Sequence, residues 1–193
     1  MIEVRPYTSA WAVRFEELRR LYAQALERAK TPFVAIEHVG STSVPGLAAK
    51  PVVDIDIVAS GSDVVRASQV LVSLGFEPRG EVGIPQRWAF WEPESLLGTN
   101  TYVVVEGSLA FKNHLAVRDL LRKDAGLRDE YARVKLEAGR VAADIEEYGS
   151  LKGPFIQTIL ASAGLSASER AFIASNNVPR GSRRRHDEDQ QSG

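Results

Sequence analysis

Two runs rich in β-branched residues, Phe33 to Val39 and Val52 to Ala59, flank a loop that opens on Gly40-Ser41 and closes on Pro51. No other stretch restricts the fold as much. Each run has the length and composition of a strand, and Pro51 suits the first position of the second, where no ladder donor is needed. Side chains alternate along a strand, so Asp54 and Asp56 share one face while Val53, Ile55 and Ile57 share the other. Helical patterns stand on both sides of this unit. Trp11, Phe15, Leu18, Tyr22, Ala25 and Ala29 recur at spacings of three and four, which predicts an amphipathic helix over 9–29 that Thr31-Pro32 ends. Val64, Val65, Leu71 and Leu74 line a second helix that Ser62 can cap and Gly75 can end. Short strands are expected at 76–79, 86–91 and 100–106. Beyond Leu109 the periodicity is helical over 110–123, 126–147 and 151–163, with Gly149 and Gly153-Pro154 expected to punctuate it. The pattern predicts an α+β fold: a small mixed β-sheet with flanking helices, followed by a helical C-terminal layer. One domain is expected over 1–165, with its helical half from about 110, and 166–193 is left as a terminal helix or turn and a disordered tail.

Composition excludes several kinds of chemistry. The 193 residues include no cysteine, so disulfide scaffolds, thiolate zinc sites, iron–sulfur clusters and cysteine nucleophiles are ruled out. The longest charge-free stretch, Gly153 to Ser168, is interrupted by Pro154, Gln157 and Gly164, and the N-terminus opens with Glu3 and Arg5. The expectation is a cytoplasmic protein with no membrane partner, membrane span or export signal. Lys and Arg number 24 against 25 acids, which is not the electrostatic footprint of a general DNA or RNA binder, so nucleic acid is the less expected partner. Residues 177–193 carry four Arg against three acids with little to bury, and read as a solvated tail.

The paired carboxylates carry the chemical argument. Held about 5 Å apart at an effective dielectric near 20, two such charges repel by about 3 kcal/mol, and a divalent cation is the simplest compensation. Magnesium accepts one or two carboxylates together with substrate phosphates and water. The loop upstream offers the complementary half: Gly40 permits a sharp turn and close approach, Ser41, Thr42 and Ser43 offer hydroxyl and amide donors, and Pro45 suits the start of a short helix. Amides at such a start hold anions, and Lys50 adds positive charge nearby. Taken alone, an Asp-x-Asp pair also fits a solvent-facing strand edge, and Gly-Ser-Thr-Ser a simple turn. Their order along the chain favours a metal-nucleotide site. The segment is neither a Walker A loop, which needs Lys after the second Gly, nor a dinucleotide fingerprint.

Glu37 to Leu47, EHVGSTSVPGL, followed by Lys50-Pro51-Val52-Val53-Asp54-Ile55, resembles the signature of the GrpB family, within the DNA polymerase beta-like nucleotidyltransferase superfamily. Asn113 to Arg122, then Tyr131, Lys135, Lys152 and Phe155-Ile156, resemble that family's helical half, so the likeness runs to about residue 165. The superfamily pattern is a hydrophobic residue, Gly and Ser or Gly, then two carboxylates around a hydrophobic residue. Val39-Gly40-Ser41 and Asp54-Ile55-Asp56 match it, with twelve residues between Ser41 and Asp54. The resemblance implies magnesium-assisted transfer of a nucleotidyl group from a nucleoside triphosphate to a hydroxyl or phosphate acceptor. Asp54 and Asp56 would hold the metal and Gly40-Ser41 would grip the triphosphate. A third carboxylate on a later strand is also implied, and in 100–106 the acidic residue is Glu106.

Further candidates come from spacing. Arg87 can contact a phosphate, while the aromatic residues of Trp88-Ala89-Phe90-Trp91 either stack on a base or form one buried strand face. His114, Arg118, Asp119 and Arg122 fall near one helical stripe, as a polar wall over a triphosphate or as a salt-bridged tie between helix and sheet. His38 reads as a structural donor. The alternative to an enzyme is a non-catalytic module that binds a nucleotide or phosphorylated metabolite in the same place.

Overall fold

A computed structural model describes residues 2–176. The chain opens with α1 (Ala10–Arg28), which buries Trp11, Phe15, Leu18, Tyr22 and Leu26. Leu26 completes the stripe where the spacing pointed to Ala29, which instead ends the helix. Strand β1 (Ala35–Val39) leads through a 3-10 turn, Ser41–Ser43, to β2 (Val53–Ala59). Helix α2 (Val64–Ser73) precedes β3 (Glu77–Gly80) and β4 (Arg87–Trp91), and after a second 3-10 turn, Glu94–Leu96, comes β5 (Thr99–Val105). The rest is helical: α3 (Leu109–Lys123), α4 (Ala125–Val141), α5 (Ile145–Ser162) and α6 (Ala167–Asn176). The disordered tail expected at 177–193 lies outside the described residues.

The sheet is mixed, in the order β1-β2-β5-β4-β3, and only the β2–β5 pair is parallel. This is the α+β class that the pattern predicts. Val53, Ile55, Ile57 and Ala59 turn to one face and form a core with α1, α2, Phe76, Phe90 and Val103. Fully burying each large apolar side chain contributes about 1.5–3 kcal/mol, so this face fixes the register of β2 and with it the direction of both acids. On the other face the helical layer packs a second cluster, in which Val44 and Leu47 of the β1–β2 connection meet Leu121, Tyr131 and Ile159.

Four local expectations are corrected. The short helix does not start at Pro45; the 3-10 turn starts at Ser41, because Gly40 at φ 67° and ψ −172° turns the chain and Ser43 Oγ donates to Gly40 O at 2.6 Å. Ser62 does not cap α2, whose N-cap position is Asp63; Ser62 Oγ instead meets Ser60 Oγ at 2.9 Å. The helix expected over 126–147 stops at Val141, and Asp144 caps the next by accepting from the amides of Glu146 and Glu147. Helix α5 then runs through Gly149, Gly153 and Pro154 without a break. A proline forfeits one internal bond, a loss that the burial of Tyr148, Ile159 and Leu160 on the same helix offsets.

Candidate functional site

Alternation and register build the site from the sheet outward. Val39 pairs with Asp54 and Glu37 with Asp56 on one side, Asn100 with Asp54 and Tyr102 with Asp56 on the other. Asp54 and Asp56 therefore share the face opposite the α1–α2 core. Asp54 Oδ1 accepts from Asn100 Nδ2 at 2.7 Å. Its Oδ2 lies against Gly40, where an added β-carbon would overlap that oxygen, so glycine serves both the left-handed φ and the approach of the carboxylate. Burial pushes the Asp54 carboxyl above its ordinary range, opposed by the Asn100 hydrogen bond and by His114, Lys50 and Lys152. Asp56 is fully buried. Its Oδ2 is 2.7 Å from His114 Nδ1, a distance at which the ring N–H donates to the carboxylate, while its Oδ1 has no hydrogen-bond partner.

A pocket of about 660 Å³ opens over this face. Ser41, Lys50 and Asp54 stand at one end, Asn100, Tyr102 and Ala89 along the sheet, Arg79, Arg87 and Val82 at the other end, and α5 and α6 complete the lining with Glu146, Tyr148, Lys152 and Ile173. Cations dominate it. Burial, reinforced by Lys50, lowers the Lys152 ammonium to about 8, with Asp54 opposing. Lys135, 2% exposed, donates to Ala48 O at 2.6 Å and is held well below the usual lysine range, first by burial and then by Lys152. Two lysines stand near the Tyr148 ring, whose centroid is 5.8 Å from Lys50 Nζ and 5.1 Å from Lys152 Nζ. Burial raises its hydroxyl to about 12, and Tyr148 Oη has no partner.

Of the residues singled out in the sequence, Ser41, Lys50, Asp54 and Arg87 line the pocket, Gly40 backs Asp54, and Asp56 lies beside Asp54 on the same strand. Thr42 does not join them: it is 1% exposed, and its hydroxyl donates to Val52 O at 3.1 Å while accepting from His38 Nε2 at 3.1 Å. His38 stacks on Phe15, and burial lowers its imidazole to about 4. Arg118 is spent on Glu37 at 2.6 Å, His38 O at 3.2 Å and Asp119 at 2.7 Å, so the helical stripe is a tie between helix and sheet. His114 reaches Asp56 rather than the pocket lining. Glu106 is misplaced for a metal ligand: it is exposed beyond the end of β5 and its amide meets Ala59 O, whereas the acids stand beside Asn100 and Tyr102. Trp88 and Phe90, at spacing two, pack into the core as one buried face, whereas Trp91 lies under the Arg79 guanidinium and Arg87 and Ala89 line the pocket.

Several lining residues were not among the candidate site residues, although Lys135 and Lys152 carry part of the family resemblance. Asn100 and Tyr102 could have been found by carrying the alternation of Asp54 and Asp56 onto the next predicted strand. Tyr148 and Lys152 share one helical face at four-residue spacing, but Gly149 between them and Gly153-Pro154 just beyond hid the helix. Arg79 and the burial of Lys135 left no local signal.

A family model described as GrpB protein matches residues 1–162. The chain is 32% identical over 163 residues to the UPF0157 protein YqkA of Bacillus subtilis, covering 81% of this chain and 46% of that relative, so it spans under half of the latter's length. Its structure is similar to that of a conserved protein GrpB from Enterococcus faecalis, with a TM-score of 0.73 and 26% identity over 83% of this chain and 96% of the other. It is also similar to Cid1, described by its RNA terminal uridylyl transferase activity, with a TM-score of 0.55 and 14% identity over 81% of this chain and 48% of Cid1. The last likeness establishes a nucleotidyltransferase-like fold. Among the described residues no helix is long and apolar enough to cross a membrane.

Proposed function

The chain belongs to the GrpB family, and from that premise we propose that it is a magnesium-dependent nucleotidyltransferase, moving a nucleotidyl group from a nucleoside triphosphate to a hydroxyl or phosphate acceptor. One observation carries the reading: Asp54 stands against the Gly40-Ser41 turn at one end of a cationic pocket, and Asp56 lies two residues along on the same face of β2. The fold shared with Cid1, an RNA terminal uridylyl transferase by description, is one on which this class of chemistry occurs.

The donor set suits magnesium. Asp56 Oδ1 is buried without a partner and Asp54 lines the pocket, so these two carboxylates would hold the ion, with phosphate oxygens and water completing its shell. Bound there, it would neutralise phosphate charge. The chain's own residues do the rest. Gly40-Ser41 brings backbone close to the triphosphate, and Lys50 and Lys152 offset the charge that gathers on departing pyrophosphate. The acceptor oxygen bonds to the α-phosphorus, the bond from that phosphorus to pyrophosphate breaks, and the acceptor proton passes to solvent.

A second reading, a non-catalytic nucleotide- or phosphometabolite-binding module, is favoured by Asn100 and Tyr102. They occupy the positions beside the two acids on β5, and among the described residues no group of three or more His, Cys, Asp or Glu is placed to hold a metal. Thermal shifts with nucleoside triphosphates, with and without magnesium, test the first step. Ligand at a hundred times its dissociation constant stabilises by about 2.7 kcal/mol. Asp54→Asn with Asp56→Asn is expected to abolish the magnesium-dependent part while circular dichroism shows an intact fold. Normal magnesium–nucleotide binding by that variant defeats the nucleotidyltransferase reading, and pyrophosphate release separates the two.

A further inference from the structure

The end of the pocket away from Gly40 holds a buried cation with an unfilled donor. Arg87 is 5% exposed and lines the pocket, yet its Nε has no hydrogen-bond partner. Its Nη2 reaches Val82 O only at 3.4 Å, and its guanidinium carbon stands 5.2 Å from the Tyr102 ring centroid. A buried charge is disfavoured unless an anion pairs with it. Tyr102 pairs with Asp56 on one side and with Ala89 of β4 on the other, so β5 separates this guanidinium from the acids. The Gly40-Ser41 turn follows β1, on the opposite side of them.

We infer that the Arg87 end is the acceptor subsite, and that the acceptor is a small molecule whose phosphate or carboxylate is held by the Arg87 guanidinium. The assignment rests on the nucleotidyltransferase reading. In phosphoryl transfer the entering and departing oxygens lie roughly in line. With pyrophosphate toward Gly40, Lys50 and Lys152, the acceptor enters from the β4 side. The planar guanidinium matches two oxygens of a carboxylate or phosphate. Scale favours a small molecule: the 660 Å³ pocket lies within the range of small-ligand sites, and at this end Ile173 and Val82 contribute to its wall. A formal charge of −1 also lacks the positive surplus that draws a nucleic-acid strand.

Calorimetry on the full chain tests this. Glycerol 3-phosphate and lactate serve as the phosphate and carboxylate probes, titrated into protein loaded with magnesium and a non-hydrolysable nucleotide, and also into nucleotide-free protein. One of the probes is expected to bind the loaded protein. Arg87→Met should weaken it about 10- to 100-fold, the worth of a charged hydrogen bond. Arg87→Lys should weaken it less, and carries the test if the Met variant does not fold. Nucleotide binding with a probe affinity that neither variant changes overturns the subsite alone. Absence of nucleotide binding, with Arg87-dependent probe binding to the free protein, overturns the nucleotidyltransferase reading and the acceptor role with it. Arg87-dependent binding of a single-stranded RNA, with no binding of either probe, makes the acceptor a nucleic acid and overturns the inference.

Discussion

Lys152 sits where burial and the neighbouring Lys50 both disfavour its charge, which brings its ammonium from 10.5 down to about 8. Between these values the unfolded chain holds a proton that the folded chain has released, so stability rises with pH through this window and the cost is fully present below it. Lys135, also lowered, acts in the same direction. Lys152→Met is therefore expected to be more stable than the parent near pH 7 by about 1–3 kcal/mol, and to flatten the rise between pH 8 and 10 in urea denaturation series. An anion in the pocket restores the charge. Pyrophosphate binding near pH 8.5 should take up protons, visible by calorimetry in buffers of different ionisation enthalpy, and its affinity should fall as pH rises past about 8. A pH-independent affinity would place pyrophosphate away from this lysine. The sequence could not show this, because a lysine on an amphipathic helix reads as solvent-facing until the packing of that helix is known.

At the scale of elements, α3 fastens the turn on which the acids depend. Arg122 donates from Nε at 3.0 Å and from Nη2 at 2.7 Å to Ser43 O, the last residue of the 3-10 turn, while Arg118 holds the end of β1 through Glu37 and His38 O. Such bonds from a charged donor contribute about 1.5–3 kcal/mol. Arg122→Met is expected to lose that much in denaturant unfolding and also to weaken magnesium–nucleotide binding, since Gly40 and Ser41 lose their anchor. Loss of stability with unchanged binding would mean that the turn holds its shape alone. The spacing of these arginines was legible as a stripe, but its direction was not, because tie and phosphate wall share one periodicity. Asp54, Asp56 and Gly40 were legible for the opposite reason: strand alternation and glycine's steric freedom are local rules that tertiary context did not override. The rules failed at Gly149, Gly153 and Pro154, where packing of α5 outweighed three breakers.

Across the whole molecule both halves contribute side chains to the site. The sheet and its loops bring both acids and Arg87, whereas the helical layer brings Lys135, Tyr148 and Lys152, so neither half presents a complete pocket. Helix α6 lies beyond the 1–162 span that the family model matches, yet Ile173 and Ala174 line the pocket. Ile173 is 3% exposed, and Asn176 O packs on Gly83, at φ +80°, so closely that an added β-carbon would overlap it. The large core cluster involves no residue of α6. A chain ending at Leu165 is therefore expected to unfold cooperatively with a loss of about 1.5–3 kcal/mol, the burial of one large apolar side chain. It should keep magnesium–nucleotide binding at the Asp54 end and lose affinity at the Arg87 end, where its wall is gone. Gly83→Ala tests the same contact with the full chain present, by pushing α6 away, and should weaken glycerol 3-phosphate or lactate binding more than nucleotide binding. Equal loss at both ends would show that α6 supports the whole pocket and not one side of it.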